Sequence, residues 1–270
     1  MQEGNTSFTA RSVLASALLG EDPPELPVAH LVHLVGLFGI NENRARVALS
    51  RMVAAGEVTT DGDGRYRLAG RLLDRQLRQH DSRLGRMRPW GGAWRMAVVI
   101  TSGSSAEERA TRRKRLVLAR LAEQREGVWI RPDNIDLRPD PANDPDLALF
   151  RSTPDEDPVR LAAHLWNLRS WAERASEFCG RMHDLATEGP SDLAPGFELS
   201  AAVLRHLQAD PLLPTTLLPP DWPGAALREQ YSRWDRQYRH VLRAWSSGDR
   251  AAPHRAPARG PVQAFGNRGP

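Results

Sequence analysis

The 270-residue chain has one cysteine, Cys179, and one lysine, Lys114. A lone cysteine excludes an intrachain disulfide and a cysteine-rich metal site. No apolar run reaches the roughly 18 residues that a membrane helix needs. Met1 to Gly20 lacks the basic start and cleavage site of a signal peptide. The expectation is a cytoplasmic protein with no membrane partner. Catalytic constellations are missing too. His30 and His33 stand three apart near Glu25 but have no fourth ligand, so they read as helix surface or core. "TSGSS" (101–105) is no phosphate loop, and "DEDP" (155–158) reads as a solvated loop that starts a helix. Cys179, beside Phe178, reads as a small core residue. No metal, cofactor or catalytic residue is expected, and the chain does not read as an enzyme.

What is present is arginine. Lysine and arginine number 37 against 33 acids, a formal charge of +4, which suits a polyanionic partner without requiring one. Abundant arginine, alanine and proline point to a GC-rich coding genome, so only the placement of arginine is informative. Ala10 to Leu19 reads as an amphipathic helix stopped by Gly20, Pro23 and Pro24. Pro27 opens a second helix, "PVAHLVHLVGLFG", and Gly39 turns the chain. Asn41 caps a third helix, in which Ala45, Ala48, Leu49, Met52 and Val53 form the buried stripe. Asn43, Arg44, Arg46, Val47, Ser50 and Arg51 are left on or beside the other face. "EVTT" and "RYRL" flank "DGDG" and read as a β-hairpin. Three helices and a hairpin make the winged helix-turn-helix order. A helix of the major-groove type presents Arg, Asn, Ser and small side chains on its exposed face. Arg65 and Arg67 of the hairpin could lie along a neighbouring backbone or minor groove.

Beyond residue 70 the chain reads as a basic helical connector. "AWRMAVVI" is then a strand, followed by a long helix from about Ala106 to Gln124 and a second strand, "GVWIRP". "LALFRS" is a candidate for a further strand of this α+β unit. On the long helix Leu116, Leu118 and Leu121 would face the sheet and leave Arg112, Arg113 and Lys114 exposed. From Asp157 the chain turns helical, with Leu161, Leu165, Trp166, Leu168 and Trp171 as core. Further helices are expected near 196–209 and 224–246. Trp90, Trp94, Trp129, Trp166, Trp171, Trp222 and Trp234 read individually as core, though they could also frame an apolar pocket.

Several blocks resemble PaaX-type repressors, the regulators of phenylacetic acid catabolism: "GINENRARVALSRMVAAGEV", "RYRLAGR", "WGGAWRMAVV", "GVWIRP" and "LWNLRSWAERASEF". The most specific is "DPLLPTTLLPPDWPGAALREQY", with Asp210, Pro211, Leu213, Pro214, Leu218, Pro219, Trp222, Pro223 and Gly224 in register. The resemblance spans roughly residues 10–242. It implies an α+β multidomain protein of three parts: an N-terminal winged helix-turn-helix (1–70), a central ferredoxin-like, Cas2-like unit (91–155) and a C-terminal helical unit (156–246). The residues themselves add a basic helical linker (71–90) and, from its Ala, Pro, Arg and Gly content, a disordered tail (247–270). By the match, Asn43, Arg44, Arg46, Ser50 and Arg51 fall on the recognition helix, and Arg65 and Arg67 on the wing. Asn43, Arg44 and Val47 depart from the family's common pattern. The implied function is a homodimeric transcriptional repressor of a catabolic operon that binds a double-stranded, inverted-repeat operator. An acyl-CoA such as phenylacetyl-CoA would release it. The alternatives are a Cas2-like metal-dependent nuclease, against which "AWRMAVVITSGSS" offers no carboxylate at the strand end, and a DNA-binding scaffold with no small-molecule effector.

Overall fold

Three apolar stripes at helical spacing bring the first seventy residues together. The computed structural model describes residues 8–101, 103, 105–188 and 193–246; the expected disordered tail lies outside them. Helix α1 (Ala10–Leu19) begins where the Thr9 hydroxyl accepts the Ser12 N–H, and it buries Val13, Leu14 and Leu18. Helix α2 (Val28–Gly36) buries Leu31, Leu34 and Val35. Helix α3 (Glu42–Ala54) buries Ala45, Leu49 and Met52. These stripes share one core with Val58, Leu68 and Leu72. Gly39 takes φ +72° between α2 and α3, a conformation without steric cost for glycine. Asn41 accepts the Arg44 N–H at 2.9 Å and caps α3 as expected. Val53, expected in the stripe, is 38% exposed. Eight residues past Ala45, it has rotated about 80° out of line at 3.6 residues per turn.

Strands β2 (Val58–Thr60) and β3 (Arg65–Leu68) form the expected hairpin. A strand that the sequence reading missed, β1 (Glu25–Pro27), pairs antiparallel with β3, so the sheet order is β1-β3-β2. Pro27 therefore ends a strand and caps α2 rather than lying in its first turn. The Val28 N–H donates to the Gly64 carbonyl at 2.7 Å and pins the hairpin tip to α2. Glu57 anchors the base. Its buried carboxylate accepts from Arg11 of α1, with Nε at 2.9 Å, and faces Arg71 at 3.7 Å.

Arg71 belongs to helix α4 (Gly70–Leu84), which packs against α1 and against the C-terminal helices α8 (Leu193–Gln208) and α9 (Gly224–Ser246). A central antiparallel sheet follows. It is built from β4 (Trp94–Val99), β5 (Ala122–Arg125), β6 (Val128–Pro132) and β7 (Leu147–Ser152), in the order β5-β6-β4-β7. "LALFRS" is β7. The intervening helix α5 (Ala106–Leu118) opens with a Ser105–Glu108 capping box. It stops six residues short of the expected end, because Arg120 takes φ +63° and the chain returns as β5. Arg112 is buried, not exposed: it shares the sheet-facing side with Leu116 and pairs with Asp146. Leu118 correspondingly faces out, 41% exposed.

The alternation of a strand sends the two faces of this sheet to different partners. Ala97 and Trp129 pack with Leu116 and Leu121. Trp94 and Ile130 pack with Leu161, Leu168, Leu213 and Leu217. The expected single helical stretch from Val159 to Leu185 is two helices, α6 (Pro158–Leu165) and α7 (Leu168–Glu188), broken where Trp166 is extended. Helices α7, α8 and α9 share a core around Phe178, Met182, Val203 and Tyr231. There Trp171 stacks between His206 at 4.4 Å and Trp222 at 4.5 Å. Cys179 packs at the edge of this core, and burial raises its thiol pKa. Among the described residues, no helix is long and apolar enough to cross a membrane.

A buried polar cluster joins the three parts. Asp210 is 1% exposed and accepts from Arg228 of α9 at 2.6 Å and from the Leu212 N–H at 2.9 Å. Arg228 also donates to the Ser82 carbonyl of α4 at 2.9 Å. Arg120 donates to the Gln208 and Asp210 carbonyls and to the Ser82 hydroxyl. Arg131, fully buried on β6, donates to the carbonyls of Leu212, Pro132 and Arg120 and to Asn134.

Removing one partner of a buried ion pair leaves the other charge uncompensated, at a cost of about 3–5 kcal/mol. Asp210→Ala is therefore expected to destabilise the chain by about that much in urea unfolding; a change under about 1 kcal/mol would contradict the assignment. Glu57 gives a pH signature. The Arg11 hydrogen bond, ahead of other effects, holds its carboxyl below the usual carboxylate range. Its stabilisation is present above the unfolded-state value of about 4.3 and is lost as pH falls through the lower folded-state value. Glu57→Gln should cost about 1–3 kcal/mol at neutral pH. The gap to the parent should close below about pH 4.

Candidate nucleic-acid interface

The buried stripe of α3 fixes what its other side presents. With Ala45, Leu49 and Met52 inward, Asn43, Arg44, Arg46, Val47, Ser50 and Arg51 are all exposed. Val47 is 43% exposed, a large apolar side chain amid polar ones. Nothing in the described residues covers this face. The helix N-terminus, with its free N–H groups, lies at the Asn41 end.

Two acids that the sequence reading left out sit among the arginines. Glu42, one turn before Arg46, accepts from its Nε at 2.7 Å, and both side chains are more than half exposed. Glu25 of β1 lies across from Arg67 in the sheet register. It accepts from Arg67 Nε at 2.9 Å and from Arg65 at 3.1 Å. The Arg67 hydrogen bond, chiefly, lowers the Glu25 pKa. The two hairpin arginines are thus held together by one carboxylate. The i, i+4 spacing of Glu42 and Arg46 was readable in the sequence. The Glu25 contact spans forty-odd residues and depends on a strand of three residues, which leaves no local signal.

The structure places the seven candidate residues in two groups. Asn43, Arg44, Arg46, Ser50 and Arg51 lie on α3; Arg65 and Arg67 lie on β3, which is tied to α2 through the Gly64 carbonyl. The other basic helix, α5, is engaged elsewhere. Arg112 pairs with Asp146, Arg113 with Glu123 and Arg115 with Asp144. Among the described residues there is no cluster of three or more His, Cys, Asp or Glu side chains arranged to hold a metal ion.

Comparison with known proteins agrees with this architecture at both ends of the chain. The model of the PaaX-like protein family matches residues 9–72. The model of the PaaX-like protein C-terminal domain matches residues 166–241. No curated protein matches the chain. Among solved structures, the uncharacterized protein Rv0674 from Mycobacterium tuberculosis is similar at 41% identity and a TM-score of 0.70. The match covers 88% of this chain and 98% of that one. The chain belongs to the PaaX-like protein family, whose members are typically transcriptional regulators and generally not enzymes.

Proposed function

We propose that the protein is a DNA-binding transcriptional repressor of a catabolic operon, acting as a homodimer on an inverted-repeat operator. One observation carries the reading: the face of α3 opposite its buried stripe is fully exposed, rich in Arg, Asn and Ser, and flanked by a basic hairpin. In this reading residues 1–70 form a winged helix-turn-helix and 71–90 the basic linker. Residues 91–155 form a ferredoxin-like unit in which a short 3-10 turn at Pro141–Asn143 stands where the second helix would be. Residues 156–246 form the helical unit. Arg46 and Asn43 contact bases, since Arg reads guanine and Asn reads adenine through paired hydrogen bonds. Ser50 lies one turn further along the same face. Arg44, Arg51, Arg65 and Arg67 contact phosphates and set register. The family resemblance suggests an acyl-CoA-type effector such as phenylacetyl-CoA, which would have to bind the DNA-free conformation more tightly to release the operator.

The nuclease alternative is disfavoured by the carboxylates near the sheet. Asp133 is held by Arg88, Arg95 and Arg151, and Asp144 and Asp146 by arginines of α5. None of these is free to hold a divalent ion without breaking an ion pair.

The test is fluorescence anisotropy of the protein on DNA from its own upstream region, across a range of salt. Arg46→Ala should cost about 1–3 kcal/mol on the operator and relax preference at one base position. Arg67→Ala should weaken all sequences alike and reduce the salt slope by about one. An Arg46→Ala protein with unchanged affinity and preference would refute the reading helix. Phenylacetyl-CoA and phenylacetate are added in turn: release by the thioester would support the effector that the resemblance suggests, and a complex that persists at saturating thioester would remove it from the reading.

A further inference from the structure

A cavity lies where the N-terminal helices meet α4, α8 and α9. It has a volume of about 350 Å³, at the small end of ligand sites, which run from about 300 to 1,000 Å³. One wall is apolar: Leu34 and Phe38 from the α2 side, Phe197 and Leu204 from α8, and Leu242 from α9. Phe38 and Phe197 meet edge-to-face at 5.2 Å, so this wall is itself a contact between the two ends of the chain.

The polar side is built differently from the other arginine sites of the molecule. Arg83 and Arg239 line the cavity but are committed to the buried Asp235, at 3.1 and 3.0 Å. Glu21 also lies near Arg239 and favours its charge. Arg75, half-buried, is left over. No acid among the described residues pairs with it, and its charged neighbours are Arg205, Arg11 and Arg78. Burial, chiefly, and those like charges lower its pKa; the acids of the same cavity, Glu21, Asp22 and Asp235, form no ion pair with it. One turn along α4 stands Gln79, only 6% exposed and lining the same cavity, whose amide has no hydrogen-bond partner among the described residues. Its side-chain N–H groups can donate to a ligand oxygen there.

We propose that this cavity binds a small organic carboxylate with an aryl or short acyl tail. The carboxylate is held by the Arg75 guanidinium and the Gln79 amide, and the tail lies against Phe38, Phe197 and Leu204. The inference deepens the regulator reading by naming the ligand class, and it favours the free acid over the thioester. A coenzyme A thioester brings a nucleotide and a pantetheine arm that a cavity of this volume does not enclose. The site lies between α1 and α2, which share a core with α3, and the helices α8 and α9. A ligand there acts as a wedge or clasp between the reading unit and the C-terminal unit, and shifts their equilibrium by its differential affinity for the two arrangements.

The test is isothermal titration calorimetry of the full chain without DNA, using phenylacetate, hexanoate, their neutral amides, phenylacetyl-CoA and coenzyme A as probes. A carboxylate should bind saturably, one per chain, and its amide at least tenfold more weakly. Arg75→Gln should weaken the carboxylate at least tenfold. Gln79→Leu should weaken it several-fold while leaving the melting temperature close to the parent's, because no hydrogen bond within the fold is lost with the amide. That second variant separates a lost ligand contact from a damaged fold. Binding confined to the coenzyme A compounds would overturn the proposal. So would affinity unchanged in both variants, or no saturable binding by any carboxylate. Because calorimetry needs no operator, carboxylate binding with no specific DNA complex would sink the regulator reading alone. A specific DNA complex with no ligand binding would sink the cavity alone.

Discussion

Asp210 and the three arginines around it, Arg131 fully buried and Arg120 and Arg228 part-buried, are the constraint on which the arrangement of the chain depends. A guanidinium has five N–H donors in a fixed fork and is not discharged at neutral pH. Burial therefore commits it to finding acceptors in set directions. Arg131, pushed down to about 9 by burial, is still protonated at neutral pH. Its acceptors are backbone carbonyls, among them Leu212 of the proline-rich segment that follows α8. Asn134 donates to that same carbonyl at 2.9 Å. A carbonyl that must serve two buried donors cannot shift far, and Leu212 is held at φ +50°. The "DPLLP" block is best understood as a shaped acceptor for two arginines of the central unit.

From that cluster the constraint runs along α4. Ser82, near its C-terminal end, accepts from Arg120 through its hydroxyl and from Arg228 through its carbonyl. Arg71, in its first turn, faces Glu57 at the base of the hairpin. Gly70, at φ +46°, lies so close to the Gly56 carbonyl that a Cβ there would sit 2.6 Å from the oxygen. One helix thus carries the central and C-terminal contacts at one end and the N-terminal helix and hairpin unit at the other. Arg75 and Gln79 lie midway, on the segment through which any displacement between the two ends must pass.

The legible parts of this fold are those with local signals. The helix stripes, the Asn41 cap, the Gly39 turn and the glycine-tipped hairpin all follow from spacing within a dozen residues, and all are present. The β1 strand was missed because three residues containing a proline carry no alternation to read. Its partner is forty residues away. The end of α5 was missed because "LVLARLAEQ" is a good helix former throughout; tertiary contacts of Arg120 and the pairing of β5 override that propensity. Arg112 was misplaced for a related reason, since an arginine on a basic helix reads as solvated until an acid from another element reaches it. The cavity was not legible at all. Its apolar wall is contributed by the α2 side, α8 and α9, and its polar groups stand out only once Arg83 and Arg239 have been matched to Asp235.

That matching also bears on the reading face. Exposed i, i+4 pairs such as Glu42–Arg46 stabilise a helix by only about 0.2–0.5 kcal/mol, whereas a paired contact to a base edge discriminates by about 1–3 kcal/mol. Arg46 can therefore leave Glu42 at little cost when a guanine is offered. When a wrong base is offered it has a carboxylate to return to, and Glu42 is then left beside DNA with its own charge unanswered. Glu25 likewise holds Arg65 and Arg67, but from a sheet register in which it is mostly shielded by its partners, so a phosphate would have to compete with it for them. On the proposed interface, the carboxylates among the arginines would lower affinity for any phosphate backbone while sparing the base contact that Arg46 makes to a correct sequence. In the proposed DNA complex, that exchange at Glu42 favours discrimination between bases over strength of binding.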